Sequence, residues 1–387
     1  MSTPAAHDTA RPAPPSPPQS WLELFYDLAF VAAIVVLSGT YSKDTSWSGA
    51  IWLTVVFSAM WITWLSTTLL LNRVELRGMY LRTLVVLQMM LVLGMVVTSD
   101  YVKEDFTDWT SVMFGGVLVV LALMYQDVLR QKPDMQRFFS GRAVMCLVAA
   151  VLMIPAALID SWWYLLPWGL GLLLVLLPAR HSDHHVEVDG HHLVHRFGEF
   201  TIIMLGEAFV KVGLVATHEP LDEVDIVGLP LTFVIVAALW WLYFTDIPTA
   251  GYPARRRNVW LYAHFPLQLG VAATAVGLSR ILYQADEASD PRTARFILLP
   301  LTTVVASLAL LNWAIGTPLA RARMRIHLLG AAALLGSWFL LQFVLSSDLE
   351  STAVLASIIL VVTAARIRRL GAGEPDTDTN SAVTGAG

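Results

Sequence analysis

Two apolar segments of this 387-residue chain contain ionisable side chains of the kind that bind protons or cations. Residues 193–211 (LVHRFGEFTIIMLGEAFVK) carry His195, Arg196, Glu199, Glu207 and Lys211. Residues 21–31 (WLELFYDLAFV) carry Glu23 and Asp27. A charge in hydrocarbon is costly, so such a group persists where it pairs with another or lines a polar cavity. The sequence therefore predicts two helices that bring their charged side chains together in one site.

The spacing within residues 193–211 places three of the charges close to one helical face. Glu199 and Glu207 are eight residues apart, and Glu207 precedes Lys211 by four, which is the favourable order for an ion pair. This pair could be only structural, or protonation of Glu207 could release Lys211 and couple proton uptake to movement. Gly206 and Gly213 flank it and could allow close helix approach or bending.

The acids of the first segment have both a structural and a functional interpretation. Glu23 fits a capping box that begins at Ser20. Asp27 lies a full turn deeper and needs a partner, and Arg82 on the third predicted helix is at a comparable depth. Such a pair would fix helix packing, or Asp27 would bind a proton or a cation.

The composition indicates a polytopic membrane protein. Hydrophobic residues make up 56% of the chain and charged residues 14%, whereas a soluble domain has about 25% charged residues. The basic residues occupy short loops between apolar runs, so the expected partner is the lipid bilayer and not nucleic acid. The single cysteine, Cys146, excludes disulfides and cysteine-based metal sites. Motifs for nucleotide binding, zinc proteolysis and serine hydrolysis are absent from the sequence, and we expect neither a cofactor nor an enzyme of these kinds.

The apolar pattern predicts an all-α fold with about twelve transmembrane helices. Each has about 16–26 residues, and roughly 20 are needed to cross the hydrocarbon core. The predicted helices cover residues 21–40, 49–71, 79–98, 111–130, 141–159, 162–178, 193–216, 226–245, 258–283, 295–316, 324–346 and 351–367. Residues 1–19 and 370–387 have the composition of disordered tails.

The basic residues predict the orientation in the membrane. Of the 25 Lys and Arg residues, 19 fall on the side of the N-terminus and 6 on the other, namely Lys43, Lys103, Lys211, Arg280, Arg292 and Arg295. Because cytoplasmic loops are enriched in Lys and Arg, both termini are expected in the cytoplasm, as in a multi-pass protein of the bacterial inner membrane.

Weak internal similarity predicts two parallel six-helix repeats, residues 20–180 and 193–369. Aligning Trp21 with Leu193 places Asp27 on Glu199, and a similar alignment of the third and ninth helices places Gln88 on Gln268. Gln268 and His264 share a face of the ninth helix and could line a path between the halves, although hydrogen bonding between helices is the commoner explanation.

Residues 181–192 form a predicted His-rich cytoplasmic loop between the repeats. Six of the ten histidines fall in or next to it: His181, His184, His185, His191, His192 and His195. Neutral imidazole suits zinc, copper or nickel, but the spacing matches no defined metal site, so a solvated loop is the simpler interpretation. Asp127 and Asp246 lie near helix ends and are predicted to be interfacial, and the tryptophans are predicted to form interfacial belts.

The two charged segments together resemble the bacterial low temperature requirement protein A family. WLELFYDLAFVAAI resembles its opening signature, E-L-F-F/Y-D-L-x-F-V, and HRFGEFTIIMLGEAF resembles its E-R-F-G-x-F-T-I-I-x-L-G-E signature. The residues on family positions are Glu23, Phe25, Asp27, Arg196, Phe197, Gly198, Thr201, Gly206 and Glu207. His195 stands where the family usually has Glu, and Glu199 where it usually has an apolar residue. The resemblance implies a bacterial membrane protein with a growth phenotype at low temperature, and no particular substrate.

These observations favour a secondary transporter or ion-translocating protein, with a proton or a small solute as its cargo. Its predicted site consists of Glu23, Asp27, Arg82, Arg196, Glu199, Glu207 and Lys211. A non-transporting membrane protein whose charged pairs only hold the helices together is the alternative. An enzyme that acts on a lipid-embedded substrate is a third, weaker interpretation.

Overall fold

The computed structural model describes residues 21–43, 46–74, 78–99, 108–131, 133–159, 161–176, 189–215, 223–247, 256–283, 293–345 and 348–370. Every regular element in these ranges is helical: α1 (Trp21–Lys43), α2 (Trp47–Leu71), α3 (Met79–Ser99), α4 (Asp108–Gln131), α5 (Gln136–Ala156), α6 (Leu165–Leu176), α7 (Gly190–Val215), α8 (Glu223–Asp246), α9 (Arg257–Tyr283), α10 (Thr293–Ile315), α11 (Pro318–Gly336), α12 (Trp338–Phe343) and α13 (Asp348–Leu370), with short 3₁₀ turns before α5 and α6. The predicted N-terminal tail lies outside the described residues, as do residues 181–188 of the His-rich loop and residues 371–387 of the C-terminal tail.

The helices confirm the predicted all-α polytopic architecture. Within the described ranges, ten helices are long and apolar enough to cross a membrane, and the apolar segment Trp162–Leu176 is shorter. Helix α7 has 26 residues, about 39 Å at 1.5 Å per residue, and differs from the ten in its charged side chains. The eleventh predicted helix is divided into α11 and α12 at Ser337.

The outer surface is apolar and several interior side chains are polar, as expected for a protein whose solvent is lipid. Large side chains exposed on the outside include Met90, Val151, Leu329, Phe343 and Val361. Polar side chains that are completely buried include Gln88, His264, Gln268 and Asn312. Helix α2 lies at the centre, because every residue from Ala59 to Thr68 is buried.

The helices pack in the same order in both halves. In the first half α3 contacts α1 and α4, α4 contacts α5, and α5 contacts α6. In the second half α9 contacts α7 and α10, α10 contacts α11, and α11 contacts α13. The halves meet where α1 and α2 contact α7 and α9. This order agrees with a duplicated six-helix unit, and the duplication itself stays a prediction.

Close helix approach depends on glycines of α9 rather than on those of α7. A Cβ atom on Gly270 would lie 2.9 Å from the carbonyl oxygen of Pro300, and one on Gly277 would lie 2.4 Å from Cγ1 of Ile297. The absence of a side chain therefore allows α9 and α10 to pack in contact.

The expectation that Gly206 and Gly213 permit close packing is wrong. A Cβ atom at either position would have no atom of another residue within 4 Å. Neither glycine is placed where another helix comes close.

Candidate functional site on the seam between the halves

The contact between α1 and α7, which we call the seam, holds a buried group of charges, the Asp27 cluster. Nη2 of Arg196 lies 2.9 Å from Oδ1 of Asp27, and Nη1 lies 3.8 Å from Oε2 of Glu23. Nε1 of Trp64 donates to the same Oδ1 at 2.7 Å, and Nη2 of Arg196 donates to Thr68 at 3.4 Å. All five side chains are buried. One arginine thus joins two carboxylates on α1 to the central helix α2.

The partner of Asp27 is therefore Arg196 and not Arg82. The side chain of Arg82 is exposed on α3, so the predicted Asp27–Arg82 pair is wrong. Arg196 was counted among the cytoplasmic basic residues, because it lies near the start of an apolar run. Helix α7 in fact begins at Gly190, which places Arg196 in its second turn, facing α1.

A second group on the seam, the Glu207 cluster, consists of Ser38, Glu207 and Lys211. Oε1 of Glu207 accepts a hydrogen bond from the Ser38 hydroxyl at 2.9 Å and lies 3.0 Å from Nζ of Lys211. Lys211 also donates to the Ser38 hydroxyl. The predicted i,i+4 pair of Glu207 and Lys211 is therefore present, and it also involves α1.

The two clusters are separate positions along one pair of parallel helices. Eleven residues separate Asp27 from Ser38 on α1, and eleven separate Arg196 from Glu207 on α7. The two helices therefore run in the same direction, and the clusters lie about 16 Å apart at 1.5 Å per residue. With six membrane-spanning helices in each half, the first helix of each half crosses in the same direction, as α1 and α7 do. The single site expected from the sequence is thus two sites on one seam.

Buried carboxylate oxygens that lack a hydrogen-bond donor among the described residues occur in both clusters. They include Oδ2 of Asp27 and Oε2 of Glu207. A buried acceptor left without a donor costs about 1–3 kcal/mol, and more when it is charged. A proton on either oxygen would remove that cost, because a protonated carboxyl group is neutral and carries its own donor.

Glu199 forms an ion pair with His195 on its own helix. Its Oε1 lies 3.0 Å from Nδ1 of His195 one turn earlier on α7, and the His195 side chain is 63% exposed. The two departures from the family signature thus compensate each other. Where the family usually has Glu this chain has His195, and where the family usually has an apolar residue it has Glu199. An acid therefore remains on this face of α7.

The glutamines predicted to be equivalent both connect helices. Gln88 accepts from the Tyr26 hydroxyl at 2.8 Å and from Thr67 at 3.0 Å. Gln268 accepts from Trp61 at 2.7 Å and donates to Thr201 at 3.0 Å. The explanation by hydrogen bonding between helices therefore holds for these residues.

Buried tryptophans of α2 are functional neighbours that the sequence reasoning missed. Trp64 stacks on Phe200 with ring centroids 4.4 Å apart and contacts Phe197 edge-on at 5.0 Å. These rings close the apolar side of the Asp27 cluster. Assigning the tryptophans to interfacial belts fits Trp162 and Trp163, which are exposed, but is wrong for Trp61 and Trp64. An indole N–H group needs a hydrogen-bond acceptor when it is buried, and this was the available sequence signal that these tryptophans contact polar side chains.

A third charged group, the Asp246 cluster, lies within the second half. Asp246 accepts from Asn312 at 2.8 Å and lies 2.6 Å from Nε2 of His327. Nε of Arg366 lies 3.2 Å and Nε of Arg323 lies 3.5 Å from its other oxygen. All five side chains are buried. The prediction that Asp246 is interfacial is therefore wrong, because this carboxylate ties α8 to α10, α11 and α13.

Metal binding is not supported by the part of the chain that the structure describes. Within it, no group of three or more His, Cys, Asp or Glu side chains is arranged to hold a metal ion. The histidines at 181, 184 and 185 lie outside it, so the metal hypothesis for the His-rich loop stays a prediction.

The fold and the charged seam define a polytopic α-helical membrane protein with paired charges buried between its halves. The chain belongs to the bacterial low temperature requirement A protein family, whose model matches residues 19–365. It is 24% identical over 374 residues to the uncharacterized protein RA0937 of Rhizobium meliloti (strain 1021), covering 89% of this chain and 88% of the relative. No solved structure matches it.

Proposed function

We propose that this protein is an ion-translocating membrane protein, of the secondary-transporter type, in which Asp27 and Glu207 take up and release protons. The observation that carries the proposal is the pair of buried carboxylates on one seam, each with an oxygen that has no donor among the described residues. Movement of one half against the other would take place at the seam, where α1 and α2 contact α7 and α9.

The charge balance at the seam supports a role for protonation. In the Asp27 cluster one arginine serves two acids, so a proton on either acid leaves Arg196 a single ionised partner. In the Glu207 cluster the pair is one to one, so a proton on Glu207 removes the counter-charge of Lys211. Protonation of Asp27 thus weakens the ion pair that joins α1 to α7, and protonation of Glu207 leaves Lys211 on α7 without its counter-charge. Either change would favour a second arrangement of the halves.

The alternative function is a scaffold in which the same charges only lock the halves together. The Asp246 cluster favours it, since that cluster is equally buried yet lies within one half. Buried ion pairs can often be replaced by apolar residues of similar size without loss of stability. A purely structural seam should therefore tolerate such replacement with its function intact.

Reconstitution of the purified protein into vesicles with a pH-sensitive dye inside tests the proposal. We expect wild-type protein to dissipate an imposed pH gradient faster than protein-free vesicles. Asp27→Asn and Glu207→Gln should each abolish this flux while the protein stays folded. Asp127→Asn is the matched control, because Asp127 lies at a helix end beside the exposed Arg130. Equal fluxes in all four proteins would contradict the assignment of Asp27 and Glu207.

A further inference from the structure

His192 connects the surface of the protein to the Asp27 cluster. Its Nε2 lies 3.3 Å from Oε2 of Glu23, and its Nδ1 lies 3.2 Å from Nδ2 of Asn72. The His192 side chain is 19% exposed, whereas Asp27, at the far end of the cluster, is completely buried. One imidazole therefore has one nitrogen toward the end of α2 and the other toward the acids of α1.

The orientation of the Asn72 amide is fixed by the backbone at the start of α7. The N–H of Asp189 donates to Oδ1 of Asn72 at 2.9 Å, and Nδ2 of Asn72 donates to the carbonyl oxygen of Asp189 at 3.0 Å. Nδ2 is thus the atom that faces His192. Because an amide nitrogen only donates, Nδ1 of neutral His192 must be the acceptor.

This assignment determines where the proton of His192 resides. With Nδ1 accepting, the neutral imidazole carries its hydrogen on Nε2, the nitrogen that lies 3.3 Å from Oε2 of Glu23. Beyond Glu23, Nη1 and Nη2 of Arg196 lie 3.8 Å from Glu23 and 2.9 Å from Asp27. Glu23 and Asp27 are one turn apart on α1. The charged contacts therefore connect a partly exposed histidine, through Glu23 and Arg196, to the buried carboxylate of Asp27.

We propose that His192 is the residue through which protons enter the Asp27 cluster, which identifies the translocated ion as the proton. This inference rests on the proposed function. Nδ1 of His192 first takes up a proton from the surface, and the resulting imidazolium then gives its Nε2 proton to Glu23. The imidazole is left neutral with its hydrogen on Nδ1, and a flip of the ring restores the starting tautomer before the next proton. Glu23 passes the proton to Oδ2 of Asp27 and returns to the carboxylate form. Arg196 stays protonated throughout and holds the two acids in place.

Proton uptake by His192 also acts on the contact between α2 and α7. A proton on Nδ1 turns that nitrogen from an acceptor into a donor, and it then faces the N–H of Asn72. The contact between them is lost, whereas the attraction of the imidazolium to Glu23 increases. The charged and titratable groups that the structure places around His192 are Glu23 on α1, Arg196 on α7 and Asp189 before α7. Protonation of His192 thus weakens the contact between the end of α2 and the start of α7.

Proton flux in vesicles tests His192 with a neighbouring histidine as control. His192→Gln keeps a polar side chain that cannot take up or release a proton. We expect the flux to fall about 100-fold, at the lower end of the effect of a positioned proton-transfer group. His191→Gln makes the same chemical change at an exposed side chain one residue earlier, and should retain wild-type flux. Adding imidazole to the medium should restore flux to His192→Gln and leave Asp27→Asn inactive.

The outcomes separate this inference from the function on which it rests. If wild-type protein carries flux and His192→Gln carries the same, the inference is overturned and the proposed function stands. If wild-type protein carries none above protein-free vesicles, both are overturned. If His192→Gln does not fold, His192→Ser measured with and without imidazole replaces it, and equal flux in the two conditions overturns the inference.

Discussion

Nη2 of Arg196 lies 2.9 Å from Oδ1 of Asp27, and the two side chains are 1% and 0% exposed. They belong to different halves of the chain, so this pair is both a buried charge contact and a contact between the halves. Removing Arg196 leaves two carboxylates without their shared cation, whereas removing Asp27 leaves Arg196 with Glu23. The pair is therefore the most direct means of separating structural from functional roles.

Arg196→Met should destabilise the protein by about 3–5 kcal/mol, since it leaves Glu23 and Asp27 without their shared counter-charge. Thermal unfolding in detergent measures the change. Arg82→Met is the matched control, and we expect its unfolding temperature to equal that of wild type, because Arg82 is exposed. Equal unfolding temperatures for the two variants would show that Arg196 does not hold the seam.

The contact between Glu207 and Lys211 should show a coupling energy of about 1–3 kcal/mol in a double-mutant cycle with Glu207→Gln and Lys211→Met. Glu207 is buried and shares its oxygen with Ser38, so each single change leaves a polar partner unpaired. His195 and Glu199 have the same four-residue spacing on the same helix and serve as the comparison. Because His195 is largely exposed, their coupling should stay below about 0.5 kcal/mol. A smaller coupling at Glu207 than at Glu199 would contradict this interpretation.

Asp246→Asn should cost about 3–5 kcal/mol of stability, because it leaves Arg323 and Arg366 close together without their carboxylate. Asp127→Asn provides the contrast. It removes a 4.0 Å ion pair with the exposed Arg130, and surface pairs contribute little. The 3.2 Å hydrogen bond from Gln131 can still be accepted by the asparagine oxygen. The two aspartates look alike in the sequence, so the difference between their unfolding temperatures measures the burial alone. Similar losses in both would place Asp246 at the surface.

Gly270→Ala should destabilise the protein by about 1–3 kcal/mol, the usual cost of overpacking. Its Cβ atom would lie 2.9 Å from the carbonyl oxygen of Pro300, which is backbone and cannot rotate away. Gly206→Ala has open space around it and should leave stability unchanged or raise it by up to about 1 kcal/mol, because alanine favours the helix. The opposite order of the two variants would exclude close packing of α9 on α10.

The helices of this fold can be predicted from the sequence because hydrophobic length alone determines where they lie. The partners of buried charges cannot be predicted in that way. Asp27 was assigned to Arg82 by depth below the cytoplasmic boundary, but depth does not specify which face of a helix a side chain occupies. Helix α1 packs against both α3 and α7, but the side chain of Arg82 is exposed and that of Arg196 is buried against Asp27. The helix face that each arginine occupies therefore selects Arg196 over Arg82.

The Asp246 cluster was missed because α11 begins six residues earlier than the apolar run suggested. Thr317 caps the helix by accepting from Ala320 at 3.1 Å, and Pro318 occupies the first turn. Both are recognised start signals. With the helix beginning there, Arg323 and His327 fall one turn apart on the same face, opposite Asp246. Giving the cap priority over hydropathy would have found this cluster.

The two clusters are eleven residues apart on α1 and eleven residues apart on α7. The seam therefore joins the two helices at two points. Sliding one helix along the other separates Arg196 from Asp27 and Glu207 from Ser38 at the same time. No intermediate position of the helices preserves one of these contacts without the other. Movement of α1 along α7 would therefore have to break both contacts, and neutralising one acid would leave the other contact in place.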